Sequence, residues 1–223
     1  MPKRIKHSYL TRSREPMNRT HLLPAFILLS SSFAGYANTN KADEAAVQTL
    51  IEQCESCHAV EAETASIAPQ LDGMDAEYLL EQLDNFRKGQ RGADSTDPAT
   101  QTMIAQAQAL NGSQSQAIAG HYADRDRQYS TETVAGNTRN GEGLYSEHCE
   151  GCHSSSMGRF FTNSPQITHL DGPYLLAQLK LFAADQRGFV TQDKHKAKMI
   201  KLAKRFRDAE LADIVAYMKT LSE

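Results

Sequence analysis

The pattern Cys-x-x-Cys-His occurs twice in the 223-residue chain, at residues 54–58 and 149–153. Two cysteines one helical turn apart can each form a thioether bond to the same porphyrin, and the adjacent histidine can then turn its imidazole onto the iron. The pattern therefore predicts two covalently bound haem c groups, around which the rest of the chain is arranged. The predicted haem-binding cysteines are Cys54, Cys57, Cys149 and Cys152, and the predicted proximal iron ligands are His58 and His153.

Three other uses of four cysteines fit less well. In a zinc ribbon the second pair follows the first by about 15–20 residues, whereas here more than 90 residues separate the pairs. A thioredoxin-like redox pair lies beside a βαβ pattern, which the sequence lacks. Disulfides suit an exported protein but do not explain a histidine directly after each second cysteine.

An internal repeat divides the chain into two halves. The run Tyr-Leu-Leu-x-Gln-Leu-x-x-Phe starts at Tyr78 and again at Tyr174, and Gln-Arg-Gly follows each copy at the same distance. Duplication of one haem-binding unit explains this match. We expect two domains of similar fold at residues 38–125 and 141–223, joined by a linker at 126–140 whose Ser, Thr, Asn and Gly content is typical of loops.

Each half carries apolar residues at helical spacing. The clearest stripes lie in 42–54, 78–86 and 209–221, while the stretch 114–122 is weaker. No stretch shows the alternation of a half-buried strand. The fold class is therefore predicted to be all-α, with each of the two tandem domains wrapping one haem.

The repeat also predicts the sixth iron ligands. Met103 and Met199 each lie 25 residues after the tyrosine that begins the repeated run. Thioether sulfur is a soft ligand suited to haem iron, and His/Met ligation raises the reduction potential. Two alternatives stay open: these methionines are core residues, or a histidine among His121, His169 and His195 is the ligand.

The first 37 residues read as a signal peptide. A basic stretch precedes an apolar run at 22–34 and a small-x-small cleavage site, which places cleavage near Ala37-Asn38. Met17 is an alternative start, and an uncleaved anchor is an alternative to cleavage. Because covalent haem attachment in bacteria belongs to the exported compartment, we expect the mature protein in the periplasm.

Charge is distributed unevenly. Residues 38–130 hold 15 Asp/Glu and 6 Lys/Arg, whereas residues 131–223 hold 11 and 12. An exported acidic protein is a poor candidate for binding nucleic acid. Lysines cluster around Met199, and we expect this surface of the second domain to meet an acidic partner, with a solvated helix as the alternative.

Arg91 and Arg187 belong to the repeated Gln-Arg-Gly. A guanidinium is a favourable partner for a half-buried carboxylate, so both arginines are candidates for contacting haem propionates; the alternative is a solvated arginine at a helix end. Tyr78 and Tyr174 either close the domain interface or merely begin their helices.

The paired haem signatures, the methionine in each second half, and the repeated run with its Gln-Arg-Gly together resemble the cytochrome c4 family over residues 42–223. That family consists of dihaem proteins made of two class I cytochrome c domains. The resemblance implies ligation of one iron by His58 and Met103 and of the other by His153 and Met199.

The resemblance also implies an electron-transfer protein rather than an enzyme. It would move electrons from a respiratory donor, such as a cytochrome bc complex, toward a haem-copper oxidase or another acceptor, with membrane-surface association only through such partners. Two alternatives remain, namely a haem subunit of a larger dehydrogenase complex and a dihaem peroxidase-type enzyme.

Overall fold

The structure, a computed structural model, describes residues 34–59, 67–187 and 194–221, and the side chains of all of these except 34–42 and 194–196. The predicted signal peptide lies almost wholly outside these residues. Within them the chain forms ten α-helices and no strand, which confirms the all-α prediction. The helices are α1 Ala34–His58, α2 Ala76–Arg87, α3 Pro98–Ala109, α4 Gly112–Ala123, α5 Thr138–His148, α6 Glu150–His153, α7 Ser156–Thr162, α8 Gly172–Ala183, α9 Lys194–Ala203 and α10 Asp208–Thr220.

Helices α1 to α4 build the first half. Their core is apolar and includes Ile51 of α1, Leu79 of α2 and Ile118 of α4. Helix α4 is complete despite its weak apolar pattern, because Asn111 and Gln114 form a reciprocal capping box at its start. Helix α3, which sequence periodicity did not predict, begins with an Asp97 cap and a proline at the first turn.

Helices α5 to α10 build the second half. Its core includes Tyr145 of α5, Leu175 of α8, and Ile214, Val215 and Met218 of α10. Helix α5 approaches α10 so closely at Gly141 that an added Cβ would lie 1.9 Å from the carbonyl oxygen of Asp213. The two helices that begin and end this half therefore pack backbone to backbone.

The connection between the halves follows the surface of the second half. No helix occupies residues 124–137, and α5 begins at 138, inside the range predicted as linker. The amide of Gly172 donates to the Glu132 carbonyl at 3.1 Å, and the amide of Ser130 donates to the His169 carbonyl at 2.9 Å. These bonds hold the connection against the loop before α8.

A buried glutamine and a half-buried arginine also join the halves. The Gln70 amide donates to the carbonyls of Gln128 at 2.9 Å and of His169 at 2.7 Å. Arg127 donates to Gln166 at 2.6 Å and also to the Gly73 carbonyl. Among the described residues, none of the helices has the length and apolar character needed to cross a membrane.

Candidate haem sites

One continuous cavity of about 520 Å³ runs through both halves of the protein. Its lining is mainly apolar and includes every residue predicted to hold a haem: Cys54, Cys57, His58, Met103, Cys149, Cys152, His153 and Met199. A large, mostly apolar cavity with a few converging polar groups is the usual form of a cofactor site. The fold therefore brings the two predicted ligand sets, which are distant in sequence, to the walls of one space.

Each signature histidine is oriented by a backbone carbonyl. The Nδ1 atom of His58 lies 2.6 Å from the Pro69 carbonyl oxygen, and that of His153 lies 2.8 Å from the Pro165 carbonyl oxygen. A carbonyl can only accept, so Nδ1 carries the proton and Nε2 is left with the lone pair that binds iron. Burial lowers the pKa of both imidazoles, which favours the neutral, metal-binding form.

The four cysteines also fit covalent attachment. All four lie in described segments, and none is joined to another in a disulfide. Burial raises the pKa of Cys54, and burial together with the charge of Cys152 raises the pKa of Cys149 to about 11. These two thiols are therefore protonated at neutral pH. The residues present therefore fit two haem c groups.

The methionines reach the cavity from separate helices. Met103 projects from α3 and packs against the cluster formed by Leu83, Phe86 and Ala107, and Met199 projects from α9. Of the alternative ligands, His121 and His169 do not line the cavity, and the side chain of His195 lies outside the described residues. Axial ligation by the two methionines stays a prediction that this placement favours.

The arginines of the repeat meet at the junction of the two halves. Arg91 donates to Gln82 at 2.9 Å in its own half and to Tyr174 at 3.1 Å in the other. Arg187 mirrors this pattern, donating to Gln178 at 2.6 Å and to Tyr78 at 3.1 Å. An antiparallel backbone bridge pairs the two arginines, and each guanidinium lies over a phenylalanine ring of its own half. Tyr78 and Tyr174 therefore close the interface.

This junction concentrates positive charge. No carboxylate of a described residue forms an ion pair with Arg91 or Arg187, and both guanidiniums bond to neutral oxygens. Burial, together with the charge of Arg187, lowers the pKa of Arg91. Both arginines line the cavity. Two half-buried cations with only neutral partners fit the anionic propionates of haem. The contact between the arginines and the propionates stays a prediction, and this charge balance is its physical basis.

The two sites differ in electrostatics. In the first, Arg125 bonds to Glu55 inside the haem signature at 2.7 Å and to Asp72 at 3.0 Å. The repeat places Glu150, Thr168 and Leu221 at the matching positions of the second site. In the second site these three positions line a pocket of about 260 Å³. The first haem signature is thus held by ion pairs to Arg125, where the second has Leu221 at the matching position.

Sequence reasoning missed some contributors to the site. The carbonyls of Pro69 and Pro165 orient the histidines, a contact that the sequence pattern does not show. Gln82 and Gln178 accept from the arginines across the junction, and their signal was their identity in both copies of the repeated run. Their repetition at the same spacing in both halves indicated a role, but only the packing of α2 and α8 revealed what they contact.

Comparison with known proteins agrees with this geometry. The cytochrome c family model matches residues 44–128 and again 138–222. Cytochrome c4 from Acidithiobacillus ferrooxidans is 22% identical over 76% of this chain and 98% of that chain, with a TM-score of 0.60. Cytochrome c4 from Pseudomonas stutzeri is 20% identical over 78% of this chain and 96% of that chain, also with a TM-score of 0.60. A search of curated protein sequences finds no significant match.

A third solved structure is the thiosulfate dehydrogenase TsdBA from Marichromatium purpuratum. It is 24% identical over 78% of this chain but only 39% of that chain, with a TM-score of 0.59. The similarity therefore covers a part of that larger protein and shows a common fold.

Because the family model covers two successive segments that make up most of its length, the chain belongs to the cytochrome c family. Its tandem architecture is that of the cytochrome c4 structures. It is a dihaem, cytochrome c4-like electron-transfer protein, and Cys54, Cys57, Cys149 and Cys152 attach two haem c groups covalently.

Proposed function

We propose that the protein carries electrons in a bacterial periplasm between a respiratory donor, such as a cytochrome bc complex, and a haem-copper oxidase or a similar acceptor. The observation that supports this most directly is that each half of the cavity is lined by its signature histidine and, from a different helix, by the methionine that the repeat predicts as the second ligand. Two protein ligands per iron leave no open position for a substrate, and this favours electron transfer over catalysis.

When bound, each haem iron supplies a one-electron couple. The chain's own residues adjust the reduction potential of this couple and keep the iron closed to substrates. The Pro69 and Pro165 carbonyls hold the histidine rings in one orientation and make them more basic. Thioether ligands and an apolar cavity favour the reduced, less charged state. Arg91 and Arg187 sit where both halves meet, so each is placed to act on both couples.

Export rests on the sequence. The basic stretch, the apolar run at 22–34 and the small-x-small site together form the arrangement of a secretory signal, and covalent haem attachment agrees with it. Amino-terminal sequencing of the protein from periplasmic extract tests this proposal. A first residue near Asn38 is expected, and a protein found only in the cytoplasm would contradict it.

Carbon monoxide tests whether both irons are closed. The reduced holoprotein should show no change in its absorption spectrum under the gas, because methionine occupies the position at which the gas binds. Free binding at both centres would contradict the carrier proposal and favour a peroxidase-type enzyme. Respiratory membranes from the source bacterium supply the second test, since they should oxidise the reduced holoprotein at a rate that rises with membrane concentration.

A second candidate is a haem subunit of a larger dehydrogenase. It is favoured by one observation, the likeness to part of the TsdBA chain. Gel filtration of gently prepared periplasmic extract separates the two functions, because a free carrier elutes near or below the 24.7 kDa of the full chain. Stable elution at a much higher mass, together with thiosulfate-dependent reduction of the haems, would favour the second candidate.

A further inference from the structure

Helix α7, directly after the second haem signature, turns its apolar side outward. Met157, Phe160 and Phe161 lie at positions i, i+3 and i+4 and are 68%, 81% and 70% exposed. Side chains at that spacing share one face of a helix. None of the three lines the haem cavity. An amphipathic surface helix normally buries this face, so α7 has the opposite orientation.

Polar contacts impose this orientation. The Ser155 hydroxyl accepts from the Gly158 amide at 2.8 Å and caps the start of α7. An added Cβ at Gly158 would lie 2.0 Å from the Gly151 carbonyl oxygen, so the inner face of α7 rests directly on α6. Asn163 ends the helix in the left-handed conformation, with φ of 48°, and its side chain donates to Glu81 of the first half at 3.1 Å.

Both ends of α7 and its inner face are therefore held, and the helix cannot roll its apolar face inward without breaking these contacts. Three large apolar side chains held in water at the same place carry a free-energy cost that a partner's surface would relieve.

We propose that Met157, Phe160 and Phe161 form the apolar centre of the site at which the second domain docks a redox protein whose contact face is apolar and bordered by carboxylates. The proposal rests on the electron-carrier function and names a docking site for it. It assigns a contact role to side chains that neither haem attachment nor iron ligation requires.

Charge around α7 favours a partner with acidic residues. Residues 151–170 contain Arg159 and no Asp or Glu, although the chain has 27 of them, and the carboxylate that meets this stretch is that of Glu81, at Asn163. Lys198 places its Nζ atom 4.0 Å from the Sγ atom of Cys152. Residues 59–68 of the first half, which match residues 154–164, instead contain Glu61 and Glu63 and no aromatic residue. Arg159 on α7 and Lys198 beside Cys152 thus place positive charge near the second haem attachment point.

The size of the patch favours a transient protein partner. The three side chains together expose about 400 Å². This is well below the roughly 800 Å² per partner of a stable interface, and weak electron-transfer complexes lie at that low end. A stable pair of identical chains would need more area. A lipid surface would cover the haem attachment segment and separate it from any electron acceptor.

The test uses the holoprotein with Met157→Ser, Phe160→Ser and Phe161→Ser combined, and Ala209→Ser as a control that changes an exposed apolar side chain of the same domain outside the haem sites. Each reduced protein is oxidised first by ferricyanide and then by detergent-solubilised respiratory membranes of the source bacterium. With ferricyanide all proteins should react at the same rate, because the haem cavity is unchanged. With membranes the triple variant should react about tenfold more slowly, and Ala209→Ser should match the wild type.

An unchanged rate of the triple variant with membranes would overturn the docking proposal. A wild type that the membranes do not oxidise would overturn the respiratory carrier function, and the docking site with it. Sedimentation velocity and flotation with anionic vesicles are run on the same proteins. A wild-type dimer, or wild-type vesicle binding, that the triple variant loses would overturn the redox-protein partner in favour of a second copy or a lipid surface.

Discussion

The guanidinium of Arg91 donates a 3.1 Å hydrogen bond to the phenol oxygen of Tyr174, which belongs to the other domain. Arg187 repeats the contact in the opposite direction with Tyr78 at the same distance. Burial raises the pKa of Tyr174, but Arg91 and Arg187 outweigh it, so the net shift is downward. The duplicated run therefore encodes a self-complementary junction in which each copy supplies the donor for the other's acceptor.

A double-mutant cycle measures this junction. Arg91→Gln and Tyr174→Phe should each lower the free energy of unfolding, and their combined effect should fall short of the sum by about 1 kcal/mol because they share one hydrogen bond. Denaturant unfolding of the holoproteins gives the values. Arg91→Gln with Tyr78→Phe is the matched control, because no hydrogen bond joins this pair, and its coupling should be clearly smaller. Equal coupling in both cycles would contradict the specific contact.

Loss of each methionine should alter one haem. Met103→Ala and Met199→Ala should each remove half of the weak red-edge absorption band of ferric iron bound to methionine, and each should allow carbon monoxide to bind one reduced centre. Both effects follow from replacing a thioether ligand by a methyl group that cannot reach iron. Met218→Leu is a control, since Met218 lies in the second core. A band that survives in either variant would exclude that methionine as a ligand.

Two glycines on α5 should respond in opposite ways to alanine. Gly141→Ala should lower the free energy of unfolding by about 2 kcal/mol or more, because its Cβ would overlap the Asp213 carbonyl. Gly143→Ala meets nothing within 4 Å, so it should raise stability by up to about 1 kcal/mol through helix propensity. Thermal or denaturant unfolding supplies both values. Similar effects at the two positions would contradict the close crossing of α5 and α10.

Stability should depend on pH through His169. Burial, with the charges of Arg127 and Lys219, lowers the pKa of this histidine to about 3, and neither ring nitrogen has a hydrogen-bond partner. The unfolded state takes up the proton near pH 6.5 but the folded state does not. The contribution of neutral His169 to the free energy of unfolding is therefore intact above about pH 6.5 and is lost progressively toward pH 3. The free energy of unfolding falls there with a slope of up to about 1.4 kcal/mol per pH unit.

His169→Phe and His169→Gln both remove the titrating group. The free energy of unfolding of each variant, measured at pH 7, 6 and 5, should fall less steeply with acid than that of the wild type. The difference in slope carries the prediction, whatever the stability of the variants at neutral pH. Parallel slopes in all three proteins would show that His169 titrates normally in the folded state.

Much of the haem site was predictable because its chemistry requires adjacent residues. Two thioether bonds and a proximal histidine need Cys-x-x-Cys-His within one helical turn, so Cys54, Cys57 and His58 are evident from the sequence, as are their counterparts in the second copy. The repeat extended this local signal by giving Met103 and Met199 the same offset. Helix α3 was missed because its exposed surface is wide and its apolar stripe short, which leaves little periodicity to detect.

The sequence alone determined the all-α fold class, the tandem duplication and the attachment of two haem c groups, because helical periodicity and covalent attachment are properties of neighbouring residues. Only the tertiary structure decided that Arg91 meets Tyr174, that the Pro69 and Pro165 carbonyls orient the histidines, and that α7 faces outward. These features depend on how distant segments pack, and an apolar run such as Phe160-Phe161 has the same local pattern whether tertiary packing buries it or exposes it.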